Sequence, residues 1–374
     1  MDPHVQALTS QTLTPLVRQC LADPSAEIES WQIDQIAGGT GGAIGGTALF
    51  RVRGQTTDNC RWSLILKVLY ERPGEMQDAP YYWKREYELY RSGMLDQLPD
   101  IGLTTPAMYG FADYADSCWI WMEDIPIERR RWSLEDYRMV ARCLGQFNGV
   151  YAAGHPIPDE PWLNVNWHCR ITPPLADTFD KLDADLRNPL VQRALPLGEH
   201  ETIAAIWQDV HLFCDGLAGL PQTLCHTDVF PPNVFLDSTS MVLIDWALTG
   251  RAAIGEELVA LVAVSLSSSS VPISDAALLD RTVFEGYVEG LRDAGWNGDP
   301  QLARLGYTCA MTLRGLAGVK QDIGCLLDEG YFANLRQSYN MDSMTDLADH
   351  FAAVRRYRLI AMAAEARQLM AELK

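Results

Sequence analysis

No Cys-x-x-Cys pair occurs among the nine cysteines of this 374-residue chain, and their number is odd. Single thiols in that pattern predict reduced cysteines and a cytoplasmic location. An excess of positive charge is missing as well. With 30 Lys and Arg against 49 Asp and Glu, the formal net charge is −19. Nucleic acid and anionic membrane, both drawn by basic surfaces, are therefore excluded as expected partners. Long apolar runs are absent: LVALVAVSL, starting at Leu258, reaches about half the length of a membrane span. MDPHVQALTS at the start lacks the basic head and apolar run of a secretory signal. No sustained repeat or low-complexity tract is visible. What is there is an ordinary folded composition, 48% hydrophobic and 21% charged, on a chain too long for one hydrophobic core.

The pattern along the chain divides in two. Trp31, Ile33 and Ile36 are followed by six close glycines, at 38, 39, 41, 42, 45 and 46, before alternation resumes at Phe50 and Val52. This reads as strand, glycine loop, strand. RWSLILKVLY adds a third strand with Lys67 inside it, helical sequence follows in YYWKREYELYRSGML, and CWIWMEDIPI closes the region. From Trp132 the periodicity is helical, and Ser133-Leu-Glu-Asp136 has capping-box spacing. The expectation is an α+β chain: an N-terminal lobe built on an antiparallel sheet, residues 1–123, and a large, mainly helical lobe, residues 124–374.

One stretch breaks the helical character. CHTDVFPPNVFLDSTSMVLIDW, from Cys225 to Trp246, places a His, an Asn and three Asp around two short apolar runs, where buried charge is costly. Asp237 opens a turn. The remaining spacing is His226-x-Asp228, Asn233 five residues later, and Asp245 twelve beyond that. Phosphoryl transfer asks for this set, because it needs metal ligands, charge neutralisation and an aligned hydroxyl rather than covalent chemistry. Asn233 and Asp245 offer hard oxygens suited to Mg²⁺. Asp228 can orient an acceptor hydroxyl and take its proton, and His226 braces the loop. A polar turn would explain Asp228 or Asn233 alone, not the four together.

HTDVFPPN and LIDW resemble the aminoglycoside phosphotransferase and choline kinase group, small-molecule kinases with a protein-kinase-like bilobal fold, although Thr227 stands where that family commonly has Gly. The resemblance implies a nucleotide clamp upstream: a glycine loop at Gly39, Thr40, Gly41 and Gly42, with Lys67 on the phosphates. Glu86 would pair with that lysine, Glu88 being the alternative. Met122, Glu123 and Asp124 would form the adenine-binding connector. Two rival nucleotide motifs fail, since ALFRVRG after the glycines alternates as a strand where a dinucleotide fold needs a helix, and no Gly-Lys-Ser/Thr follows.

Two departures from the family bear on the acceptor side. Phe147 and Asn148 stand where a His is common, and Glu256 and Glu257 occupy the place of a supporting Asp. Either glutamate could substitute for it, or they are first-turn carboxylates favoured by a helix dipole. His168 and His200 lack metal-ligand spacing. The resemblance implies Mg²⁺ and ATP or GTP as cofactors, a small hydroxyl acceptor, and a monomer or homodimer. Between Val234 and His350 there are 16 acidic and 7 basic residues, which suits an amine-bearing acceptor such as an aminoglycoside or other basic antibiotic. The alternatives are a choline-, ethanolamine- or sugar-type metabolic kinase, and a catalytically idle nucleotide-binding regulator.

Overall fold

Strand formation begins at Ile28, directly after the helix Ser10–Leu21, whose Thr9 cap accepts a hydrogen bond from the Thr12 amide. The computed structural model describes residues 3–36, 46–97, 101–126, 130–237, 240–328, 330 and 341–373. Gly38, Gly39, Thr40, Gly41, Gly42 and Gly45 lie outside the described residues. Contacts group the chain into two units. One comprises Met1–Asp100, Thr104–Arg129 and Phe235–Ala247; the other comprises Ile101–Leu103, Arg130–Val234 and Leu248–Lys374.

The first unit is organised by five strands, β1 (Ile28–Ile36), β2 (Thr47–Thr56), β3 (Arg61–Tyr70), β4 (Met108–Asp113) and β5 (Ser117–Glu123). They pair antiparallel in the order β1-β2-β3-β5-β4. Side chains alternate across β3. Trp62, Leu64, Leu66 and Val68 join Phe50, Val52, Trp119 and Trp121 in one buried cluster, closed by Leu13 and Val17 of the N-terminal helix. Each such side chain contributes about 1.5–3 kcal/mol when taken fully out of water. Lys67 belongs to the opposite set, in register with Leu49 and Ile120. The returning segment Phe235–Ala247 belongs to this unit, turned by an Asp237 amide bond to the Ser240 carbonyl (3.0 Å) and tied by Thr104 Oγ1 donating to the Met241 carbonyl (3.2 Å).

The second unit is helical. Its helix Leu134–Ala152 starts in a full capping box: the Asp136 amide donates to Ser133 Oγ, and the Ser133 amide to Asp136 Oδ2. This helix lies close along Ala276–Asp293. A Cβ at Gly145 would stand 2.1 Å from the Tyr287 carbonyl oxygen, and one at Gly290 only 2.0 Å from that of Arg142, so both positions require glycine for steric reasons. A small sheet joins Asn164–Val165, Gly250–Ala253 and Gln222–Cys225, with Gly250 opposite Cys225. It ends at Cys225, and His226 follows in the loop.

Cys169 and Cys214 are joined by a disulfide, with Cα atoms 5.7 Å apart across 45 residues of sequence. The expectation of nine reduced thiols is corrected for this pair. Spacing in sequence cannot reveal a bridge that only the packing of the segments Trp167–Arg170 and Val210–Ala218 creates. Cys20, Cys60, Cys118, Cys143, Cys225, Cys309 and Cys325 are free thiols.

Candidate active site

In the first unit the candidate groups meet at Lys67. Its ammonium lies against Glu86 Oε2 and 2.8 Å from Asp245 Oδ1, with Lys67 and Glu86 almost wholly buried and Asp245 39% exposed. Burial opposes the lysine's charge, but Asp245 and Glu86 outweigh it and raise its pKa. Glu86 shows the reverse balance: burial raises its pKa, against the pull of Lys67 and an amide bond from Trp246. Glu88 instead sits within electrostatic reach of Lys84. Asp245 has φ +64°, a left-handed conformation that Asp tolerates better than most residues.

Arg85, adjacent to Glu86, is fully buried and was not singled out by the sequence. Its guanidinium donates to the carbonyls of Ala79 (2.6 Å), Pro80 (3.2 Å) and Ala247 (2.9 Å). The helix Arg85–Ser92 thus grips the chain two residues past Asp245. In the connector, Trp121 and Met122 are buried. The Glu123 amide bonds the Ala107 carbonyl (2.9 Å), and Asp124 accepts from Ser63 Oγ (2.6 Å) and Arg51 Nη2 (3.0 Å).

In the second unit the loop after Cys225 holds His226, Thr227, Asp228 and Asn233. The Asp228 amide donates to His226 Nδ1 (3.2 Å), so the imidazole carries its proton on Nε2. Asn233 Nδ2 donates to the Asp228 carbonyl (3.0 Å), which leaves its side-chain oxygen as the atom suited to a cation. Asp228 itself is 22% exposed, with Arg314 Nη2 3.5 Å from its Oδ1.

The loop is held from beneath by groups the sequence left ambiguous. Glu257 accepts the backbone amides of His226 (2.7 Å) and Thr227 (2.9 Å). Burial pushes its pKa up to about 7, with these hydrogen bonds resisting. Glu256 accepts the Ala253 amide (2.6 Å) and pairs with His168 Nδ1 (2.7 Å), whose own pKa burial lowers. Both glutamates are at most 1% exposed and precede the helix Leu258–Ser267, so neither is a solvated first-turn charge. Gly255 makes their approach possible: its φ is +93°, and a Cβ there would meet the Ala303 carbonyl at 2.0 Å. Asn148 completes the brace, donating to the Leu224 carbonyl (2.8 Å) and accepting from Tyr287 Oη (2.6 Å).

Thr227 carries a measurable strain. Its φ is +74°, a region β-branched residues avoid. Thr227→Gly is expected to raise stability by about 1 kcal/mol, the released strain exceeding the added entropy of an unfolded glycine. Chemical denaturation checks this; a midpoint at or below that of the parent chain would show that Thr227 is not strained.

The antiparallel sheet of the first unit and the helices of the second are the parts of a kinase-like α+β fold. Residues 43–296 match the Phosphotransferase enzyme family (APH), and the chain belongs to that family. Among solved structures, amicoumacin kinase hAmiN in complex with AMP-PNP, Ca²⁺ and Ami shares 12% identity over 96% of each chain, with a TM-score of 0.54. Choline kinase from Cryptosporidium parvum Iowa II shares 11% identity over 91% of this chain and 90% of its own, at a TM-score of 0.49. A thermostable mutant of aminoglycoside phosphotransferase APH(4)-Ia shares 13% over 91% and 98%, at 0.44. The likeness to the amicoumacin kinase supports the protein-kinase-like α+β fold. No sequence among curated proteins matches this chain. Among the described residues, no helix is long and apolar enough to cross a membrane.

Proposed function

We propose that this chain moves the γ-phosphate of ATP or GTP to a hydroxyl of a small, amine-bearing molecule of the aminoglycoside or antibiotic kind, acting in the cytoplasm where the nucleotide is available. The observation that carries this reading is the Lys67 ammonium held between Glu86 and Asp245. A buried ion pair adds little net stability over apolar side chains of similar volume, so its presence in the sheet supports a role on a ligand.

Each residue has a stated part. Lys67 binds phosphate oxygens, with Glu86 fixing its direction. Met122, Glu123 and Asp124 supply the connector for the base, and Gly39, Thr40, Gly41 and Gly42 supply the loop over the phosphates. Asn233 and Asp245 fit Mg²⁺, being an amide whose nitrogen is already engaged and a partly exposed carboxylate. When bound, the cation neutralises phosphate charge. Asp228 aligns the acceptor hydroxyl and takes its proton, while His226 fixes the Asp228 backbone through Nδ1. A choline-, ethanolamine- or sugar-type kinase would use the same parts and differ in the acceptor alone.

The expected result with Mg-ATP is a rise in thermal stability, about 2.7 kcal/mol at 100 times the dissociation constant. Incubation with a library of small alcohols should also give one product heavier by a single phosphate, read by mass spectrometry. Stabilisation without any phosphorylated product or slow ATP hydrolysis would identify an idle nucleotide-binding regulator instead.

A further inference from the structure

The overall acidity of the chain points to a basic acceptor, yet the Asp228 carboxylate has a cation, Arg314, beside it. Arg314 projects from the long helix Pro300–Leu327. Its Nη2 is 3.5 Å from Asp228 Oδ1, at the outer limit of a hydrogen bond, and its guanidinium carbon stands 5.6 Å from the centre of the Trp167 ring. Nη1 is enclosed and has no hydrogen-bond partner. An enclosed guanidinium donor without an acceptor is costly, and such a group in a folded protein calls for an explanation. The Trp167 face holds the guanidinium by cation–π attraction, so it does not need Asp228 alone to stay in place.

We infer that Arg314 is the anion-binding element of the acceptor site, and that the acceptor carries a carboxylate or phosphate close to the hydroxyl that is phosphorylated. The inference rests on the kinase reading, because it uses Asp228 as the group that meets that hydroxyl. A guanidinium offers five N–H donors in a rigid fork that fits a two-oxygen anion. Here one arm is weakly engaged and the other is unsatisfied. An acceptor whose hydroxyl reaches Asp228 therefore presents whatever lies two or three bonds away to Arg314. A fully cationic alcohol would meet repulsion there, while a neutral one would leave the guanidinium charge without an anionic partner. An amine further along the same molecule remains compatible with the acidic half of the chain, so the class is an amine-bearing alcohol with an anionic group beside the hydroxyl, which narrows the proposed acceptor away from purely polycationic aminoglycosides.

Matched three-carbon probes separate the possibilities: glycerate (anion), serine (anion with amine), glycerol (neutral) and serinol (cation), each titrated into the full chain while thermal unfolding is followed. Glycerate and serine should stabilise the wild type in a saturable way, and glycerol and serinol should not. In Arg314→Gln their affinity should fall by at least about tenfold. Arg314→Lys, which keeps the charge and loses the fork, should fall between the two and guards against a folding defect in the first variant. Equal shifts with all four probes, no shift with glycerate and serine, or undiminished binding in Arg314→Gln each overturn the inference. A wild type that Mg-ATP stabilises but hydroxy acids do not defeats this inference alone; one that Mg-ATP leaves unmoved defeats the kinase reading beneath it.

Discussion

Asp228→Ala should lower turnover of the acceptor by about 10²–10⁴, equivalent to about 3–5 kcal/mol of barrier, while leaving the chain folded. The fold survives because the structural work in this loop is done by other atoms. Asn233 bonds the Asp228 carbonyl, not its carboxylate, and Glu257 holds the amides of His226 and Thr227. The carboxylate itself is 22% exposed, so its loss opens no large cavity. Asp228→Asn keeps the shape and removes the basicity, and it should lose nearly as much. Rates are read from ADP release with the acceptor found by mass shift, and unfolding is followed in parallel. Turnover in either variant close to that of the wild type would remove Asp228 from the reaction.

The second large effect concerns stability. Lys67→Met should destabilise the nucleotide-free chain by about 3–5 kcal/mol, because it leaves Glu86 buried without its countercharge. Burial already raises the Glu86 pKa with Lys67 present; without the ammonium, Glu86 must take up a proton or repel Asp245. The double variant Lys67→Met/Glu86→Gln should therefore recover a substantial part of the loss, a coupling that a double-mutant cycle in urea measures. A loss under about 1 kcal/mol for Lys67→Met, or strict additivity in the cycle, would show that the three groups do not act together.

Some of this architecture is legible without coordinates because its signals are local. Alternation in RWSLILKVLY places Trp62, Leu64, Leu66 and Val68 on one face and marks Lys67 as the exception. The Ser133 capping box needs only four consecutive residues. The spacing from His226 to Asp245 names the candidate groups for the chemistry because a loop and a hairpin keep them close along the chain. Asn148, Arg85 and Arg314 are harder to read. Their partners lie 76 residues away for the Leu224 carbonyl, 162 for that of Ala247 and 86 for Asp228. The available clue was energetic: Glu256 and Glu257 stand beside LVALVAVSL, and Arg314 interrupts CAMTLRGLAG, where an unsatisfied charge would be expensive.

By itself, then, the sequence determined which residue types are available and where strand and helix form, since propensity, periodicity and motif spacing act over a few residues. Tertiary structure decided which carboxylates brace the loop after Cys225, that Cys169 bonds Cys214, that Arg85 grips the chain after Asp245, and that a cation faces Asp228. The physical reason is range: a buried polar group must be satisfied by whatever the packed chain brings to it, and distance along the sequence places no limit on that partner.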